Sequence, residues 1–326
     1  MKNEILKQLL LAHVDGDDTA FRKAALQLAS SESTAGHIRI AEDLRSIVAR
    51  MPSRRGDVVD IAQPRGELGD VLEGGHRQER LVDIVLTTKS RALFERVLLE
   101  NRSRERLEQF SVSPRRKLLF HGPPGCGKTL GASVLAGEMG LPLMTVRLDS
   151  VFSRFLGATA NHLRAIFAEM PRRPGVYLFD EFDSIAKARG DSQDVGEMNR
   201  IVTAFLQLID GDMSNSIVIA ATNHAELLDR AIFRRFDVIV PFSLPTANQI
   251  EATLKLRLRA FDLPTSFLRE VARSARGMSF ADVGRSTDDA IRSMALGGRD
   301  QLTMEDVEEA FGRPQHREAK RRRTKR

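Results

Sequence analysis

Residues 122–129 read GPPGCGKT, the spacing GxxxxGK[ST] of a loop that cradles phosphate between a strand and a helix. Gly122, Gly125 and Gly127 free the backbone for the dihedrals that let successive amide N–H groups wrap an anion, and Pro123, Pro124, Cys126 and Leu130 complete the loop and its entry into the helix. Lys128 would neutralise the outer phosphate oxygens. Thr129 would offer its hydroxyl to Mg2+, with the positive end of the helix aimed at the same anion. Farther along, the apolar run Val176 to Phe179 ends in Asp180, Glu181 and, after Phe182, Asp183. Carboxylates at the end of a buried run are costly unless a cation meets them, so Mg2+ is the expected partner: Asp180 through its water shell, with Glu181 polarising an attacking water. The competing reading is that these acids cap the next helix. Asn223, at the end of SIVIAATN, is placed to hydrogen-bond a terminal phosphate or the lytic water, or else to N-cap the segment AELLDRAIF.

Such groups converge only if a scaffold aligns the strand ends that carry them. Short apolar runs at 117–122, 142–148, 176–182, 216–223 and 237–242 alternate with amphipathic segments, and their continuous hydrophobicity predicts parallel strands covered on both faces. That is a doubly wound α/β domain, expected over 79–245. After Pro245 the strand runs stop, and helices are predicted near 247–260, 264–276, 281–295 and 303–311, a small helical lid over 246–312. Residues 1–51 read as a three-helix bundle, 52–78 as a Gly- and Pro-bearing linker, and 313–326 as a disordered basic tail.

The bulk composition narrows the class. A chain of 326 residues, 42% hydrophobic and 29% charged, is a soluble globular protein of about two domains, which excludes a peptide hormone or a disulfide scaffold. No apolar run reaches the ~18 residues of a membrane span. The N-terminus lacks a small-residue cleavage site after its apolar stretch, and Cys126 is the one cysteine, so a cytoplasmic, reducing location is expected. The seven histidines show no metal-binding spacing, which leaves Mg2+ as the expected metal. The net charge of +6 equals that of residues 317–326, with seven Lys/Arg and one Glu, so the body is neutral. A single Tyr and no Trp argue against a base-stacking platform, leaving nucleic acid as a possible but disfavoured partner of the tail.

The motifs GPPGCGKT, LFDEFDSI, AATN and RRFD, in this order, resemble the AAA+ ATPases, specifically the AAA clade that includes katanin, spastin and the unfoldases, in a short single-ring form. The likeness covers roughly residues 80–311. It implies a P-loop NTPase sheet of strand order 5-1-4-3-2, ATP with Mg2+ as cofactors, and a homo-oligomer, usually a hexamer, with nucleotide at each interface. It also implies that Arg234 and Arg235, in LDRAIFRRFD, resemble the arginine finger that reaches a neighbour's nucleotide, although the Pro-Gly insert common in the family is missing. Phe155-Leu156-Gly157 resembles the loop that grips a peptide in the central pore, and the charged loop 187–199 is expected to line the same channel. Gly277 and Ala281, in GMSFADVGRSTDDA, match the lid segment beside adenine, with Phe280 where a small residue is usual; Asp83-Ile84-Val85 would flank adenine from the other side. The function implied is ATP hydrolysis driving a protein unfoldase or disassembly motor whose residues 1–51 choose a client or adaptor. The alternatives are a nucleotide switch for a separate enzyme such as a protease, and a nucleic-acid-dependent ATPase.

Overall fold

The structure is a computed structural model and describes residues 72–146, 156–183, 195–228 and 230–312, with a few positions between 24 and 43. The chain divides into two compact units, Met1–Ala62 and Gln63–Arg326. In the first, Ala24, Ala25 and Ala29 are helical and buried. Positions 27, 28, 31, 39, 40, 42 and 43 are helical too, with Ile40 exposed; most of the expected bundle, Phe155, residues 187–194 of the charged loop and the basic tail lie outside the described residues.

The second unit is organised by six strands: β1 (Leu72–Gly75), β2 (Lys117–His121), β3 (Leu143–Val146), β4 (Val176–Phe179), β5 (Ile217–Thr222) and β6 (Val238–Pro241). Across the sheet they run β1-β3-β4-β5-β2-β6. The five from β2 to β6 are parallel, and counted from the phosphate-loop strand they give the expected 5-1-4-3-2. β1 is an addition. It pairs antiparallel with β3, Leu72 opposite Val146, within the stretch read as linker. Only Leu72 of its four residues is buried, so no alternation marks it; the backbone edge of β3 makes it a strand.

Ten helices of this unit lie among the described residues: α1 (Thr88–Arg102), α2 (Arg104–Glu108), α3 (Lys128–Met139), α4 (Leu156–Glu169), α5 (Val195–Gly211), α6 (Arg230–Phe233), α7 (Ala247–Arg257), α8 (Thr265–Ser274), α9 (Phe280–Leu296) and α10 (Met304–Gly312). The last residues of the expected channel loop therefore belong to α5. On one face of the sheet, Phe94 of α1 stacks on Phe120 at 5.6 Å, and Phe242 closes on Phe120 at 5.1 Å. On the other, Phe167 of α4 and Phe205 of α5 meet Phe179 of β4 at 5.8 and 5.1 Å. This double cover is why β4 and β5 are buried at every position and why their sequences show no polar alternation. Each aromatic so buried stabilises the unit by about 1.5–3 kcal/mol.

Helices α7 to α10 form the lid around their own core of Ile250, Leu254, Phe267, Val271, Val283 and Val307. Thr246 and Ser279 start α7 and α9 with reciprocal capping boxes to Gln249 and Asp282. Among the described residues no helix is long and apolar enough to cross a membrane.

Candidate functional site

The chain leaves β2 and turns through Gly122, Gly125 and Gly127 at φ 142°, 73° and 97°. A Cβ on Gly122 would stand 1.7 Å from the Phe242 carbonyl oxygen, so the first glycine is dictated by the β6 exit as much as by any ligand. Helix α3 opens with no side-chain cap and no acid in its first turn, which leaves its leading amide N–H groups for an anion. Lys128 Nζ donates to the carbonyl oxygens of Gly122 at 2.7 Å and Pro123 at 3.1 Å, and to Asn223 Oδ1 at 2.7 Å. Burial pulls its ammonium below the ordinary lysine value, against the opposing pull of Cys126, Asp180 and Asp183.

The paired acids arrive by a break in the sheet. Phe179 of β4 pairs with Ala220 of β5, and pairing resumes when the Phe182 N–H donates to the Ala221 carbonyl at 2.8 Å. Between these two points Asp180 and Glu181 are looped outward. Glu181 sits at φ 52°, a left-handed conformation that costs a side-chain-bearing residue on the order of 1–2 kcal/mol. Asp180 Oδ2 accepts the Thr129 hydroxyl at 2.8 Å while its Oδ1 accepts the Glu181 N–H at 2.8 Å. Asn223 is not a helix cap. The segment predicted as one helix is a 3-10 turn, Ala225–Leu227, with His224 at its start, followed by the short α6, and the Asn223 amide points instead to Lys128.

The lid closes the other side. The Ala281 N–H donates to the Gly125 carbonyl at 3.0 Å, and a Cβ on Gly125 would meet Ser279 Oγ at 2.7 Å. Between loop and lid lies a cavity of about 590 Å³. One end is lined by residues 124–130 with Asp180, Glu181 and Asn223, the other by Asp83, Ile84, Val85, Leu256, Phe280 and Ala281. Phe280 thus sits at the wall where a small residue was expected. Gly122 and Pro123 do not line the cavity but hold Lys128; Gly277, at φ 87°, turns the chain into the Ser279 cap without reaching it. Cys126 lines the loop with a side chain only 3% exposed, packed into the core.

Arg234 and Arg235 stand at an exposed turn after α6 and do not line the cavity; Arg235 is ion-paired with Asp210 of α5. Leu156 begins α4. Sequence reasoning missed Thr253, Arg257 and Asp288, which also line the cavity, Arg257 donating to Asp288 Oδ1 at 2.6 Å. No local motif marks them, because α7 and α9 are brought together only by lid packing.

The donor set fits a nucleoside triphosphate: a buried cation, uncapped helix N–H groups and left-handed glycines at one end, an apolar wall at the other. Among the described residues no group of three or more His, Cys, Asp or Glu could hold a metal alone, so Mg2+ would rest on Thr129 and Asp180 together with phosphate oxygens. Sheet order, phosphate loop and lid together define a P-loop nucleotide-hydrolysing protein. Residues 118–244 match the family model described as "ATPase family associated with various cellular activities (AAA)". An uncharacterised AAA family ATPase, y4kL, of Sinorhizobium fredii is 34% identical over 331 residues, 98% of this chain and 96% of its own. The proteasome-activating nucleotidase of Aeropyrum pernix is 28% identical across 94% of this chain and 79% of its own, and the ATP-dependent zinc metalloprotease FtsH 3 of Sphaerobacter thermophilus is 32% identical across 80% of this chain but 52% of its own. The chain belongs to the AAA family of ATPases, and its reaction is the hydrolysis of ATP.

Proposed function

We propose that this chain is one subunit of an ATP-driven ring that remodels a protein client. The carrying observation is that Arg234 and Arg235 lie at an exposed turn outside the cavity shared by Lys128, Thr129, Asp180, Glu181 and Asn223. An arginine that stabilises charge at the cleaving phosphate is worth ~10³ to 10⁵ in rate, and here it would come from a second copy. In this reading Lys128 and the α3 N-terminus bind the phosphates, Glu181 takes up the proton of the attacking water, and Asn223 orients that water or the terminal phosphate. Mg2+, held by Thr129 and Asp180, would supply charge neutralisation between the phosphates. Closure of successive sites would move Phe155 and Leu156 against an extended peptide, with residues 1–51 selecting the client. Relatives whose names join them to a proteasome and to a metalloprotease support a protein client over nucleic acid.

Mixing two inactive variants tests the composite site. Glu181→Gln and the double variant Arg234→Ala/Arg235→Ala should each lose turnover by ~10²-fold or more. Mixed, they should regain part of it, because some interfaces then pair an intact Glu181 with a neighbour's intact arginines. No recovery at any ratio would remove the shared site. Affinity capture with Glu181→Gln and ATP would name the client. A second reading, a nucleotide switch for a separate protease, draws on the same relatives, whose names join an ATPase to a proteasome and to a metalloprotease. Phe155→Ala separates the two, since a switch would keep its full effect on the partner enzyme.

A further inference from the structure

Asp183 is only 2% exposed, and one carboxylate oxygen does two things. Its Oδ1 accepts the Thr222 hydroxyl at 3.2 Å and the Asn223 backbone N–H at 3.1 Å. β5 ends at Thr222, so the Asn223 N–H is the first beyond the strand's last residue, and a side chain from the neighbouring strand's exit meets it in place of a backbone carbonyl. Thr222 Oγ1 is fixed from its other side, accepting the His224 N–H at 3.0 Å. Asn223, held in this way, presents its own Oδ1 to Lys128 Nζ at 2.7 Å.

The same contacts close the outward loop that carries the paired acids. Phe179 anchors its start against Ala220, the Phe182 N–H anchors its end on Ala221, and Asp183 extends that anchorage over the next two residues of the β5 exit. We infer that Asp183 is a positioning residue for ATP cleavage: its buried carboxylate locks the Asn223 backbone so that the Asn223 amide and the Asp180–Glu181 loop stay in fixed register across the cavity. A buried carboxylate is retained at such a point only when donors satisfy it, and the Thr222 hydroxyl and the Asn223 N–H, which it accepts, belong to the segment whose placement matters. Displacing a catalytic group by about 1 Å can cost on the order of 10²-fold in rate, which is the scale on which this lock acts. The negative charge also favours the charged form of Lys128.

The inference rests on the proposed role of Asn223, and the test separates the two. Full-length Asn223→Ala, Asp183→Ala, Asp183→Asn and the double variant Asp183→Ala/Asn223→Ala are compared by steady-state ATPase kinetics and by equilibrium binding of a fluorescent ATP analogue. Asp183→Ala should lower kcat about tenfold or more with KM and analogue affinity within about threefold, because the phosphate loop is untouched. Asp183→Asn, which keeps an oxygen acceptor, should recover most of that loss. The double variant should turn over no more slowly than Asn223→Ala, since what Asp183 keeps in register with the Asp180–Glu181 loop is the Asn223 amide, while the Phe179 and Phe182 backbone contacts still hold the loop itself. Losses that multiply in the double variant, or a parental kcat for Asp183→Ala beside a slow Asn223→Ala, overturn the role of Asp183 alone. A parental kcat for Asn223→Ala overturns both readings. If Asp183→Ala does not fold, Thr222→Val, which removes the hydroxyl that donates to Asp183, takes its place in the same cycle: about a threefold fall in kcat that vanishes in the Asn223→Ala background supports the lock, and a fall that persists there refutes it.

Discussion

The two walls of the nucleotide cavity are built differently. On the sheet side the groups that would hold phosphate and metal are tied to one another: Lys128 to two carbonyls and Asn223, Thr129 to Asp180, Asp180 to the Glu181 backbone. On the lid side one backbone hydrogen bond, Ala281 to Gly125, reaches the phosphate loop, and the polar lining is Thr253, Arg285 and the half-exposed Arg257–Asp288 pair. Groups that must meet a developing charge need fixed geometry, and a doubly covered parallel sheet supplies it. A wall that must admit and release nucleotide needs few bonds to break. Substitutions on the sheet side should therefore change the chemical step, and those on the lid side should change affinity.

The largest effect should come from Lys128→Ala. Loss of the buried cation should lower kcat/KM by roughly 10² to 10³-fold, measured by phosphate release; a variant that cleaves ATP normally would break the contrast at once. Gly122→Ala comes next. Its Cβ would overlap the Phe242 carbonyl oxygen at 1.7 Å, so the substitution should destabilise the sheet unit by about 2–4 kcal/mol in denaturant unfolding, and an unchanged midpoint would show that the β6 exit is adaptable. Arg257→Ala sharpens the comparison from the lid. It should weaken nucleotide affinity about two- to tenfold with kcat preserved, because one hydrogen bond from the cavity wall to bound nucleotide is worth roughly 0.5–1.5 kcal/mol; a fall in kcat alone would place Arg257 with the chemistry.

The pH dependence should divide along the same line. Burial lowers the Lys128 pKa, so the site loses its cation at a lower pH than an exposed lysine would, and the alkaline limb of kcat/KM should begin earlier. The smallest effect belongs to the lid's last helix. The Thr303 hydroxyl accepts the Asp306 N–H, and Asp306, which also meets Arg299, accepts in return from the Thr303 N–H. The Arg299 guanidinium, followed by the Thr303 donors, holds the Asp306 carboxyl far below the usual carboxylate range. With its folded pKa depressed, Asp306 contributes stability that is present above the unfolded value and lost as pH falls toward the folded one. Asp306→Ala should cost about 0.5–2 kcal/mol near neutral pH, read from thermal unfolding, and the cost should shrink in strong acid.

Much of this was legible in the residues. GPPGCGKT, the apolar run closing on Asp180 and Glu181, and the strand-end Asn223 named the site because each is a local pattern tied to a strand exit, and strand exits can be read from hydrophobic runs. The lid helices were foreseen to within a few residues for the same reason: their periodicity is local. Where the signal lay in a partner, it was not legible. β1 is a strand only because β3 offers an edge, and LEGG carries no alternation of its own. The helix expected after Asn223 breaks into a 3-10 turn and the short α6.

The existence of the strands, the phosphate loop and the carboxylates at the end of β4 were set by the sequence, since glycines at fixed spacing and acids after a buried run admit few other uses, while the strand order came from the likeness to the AAA+ ATPases. The tertiary structure alone decided that Asn223 faces Lys128 instead of capping a helix, that Asp183 braces it, that Phe280, Arg257 and Asp288 share the cavity with the loop, and that both finger candidates stand outside it. Those facts depend on distances between residues far apart in the chain. Such distances are fixed by packing and by the pairing of strand ends, which no single segment encodes.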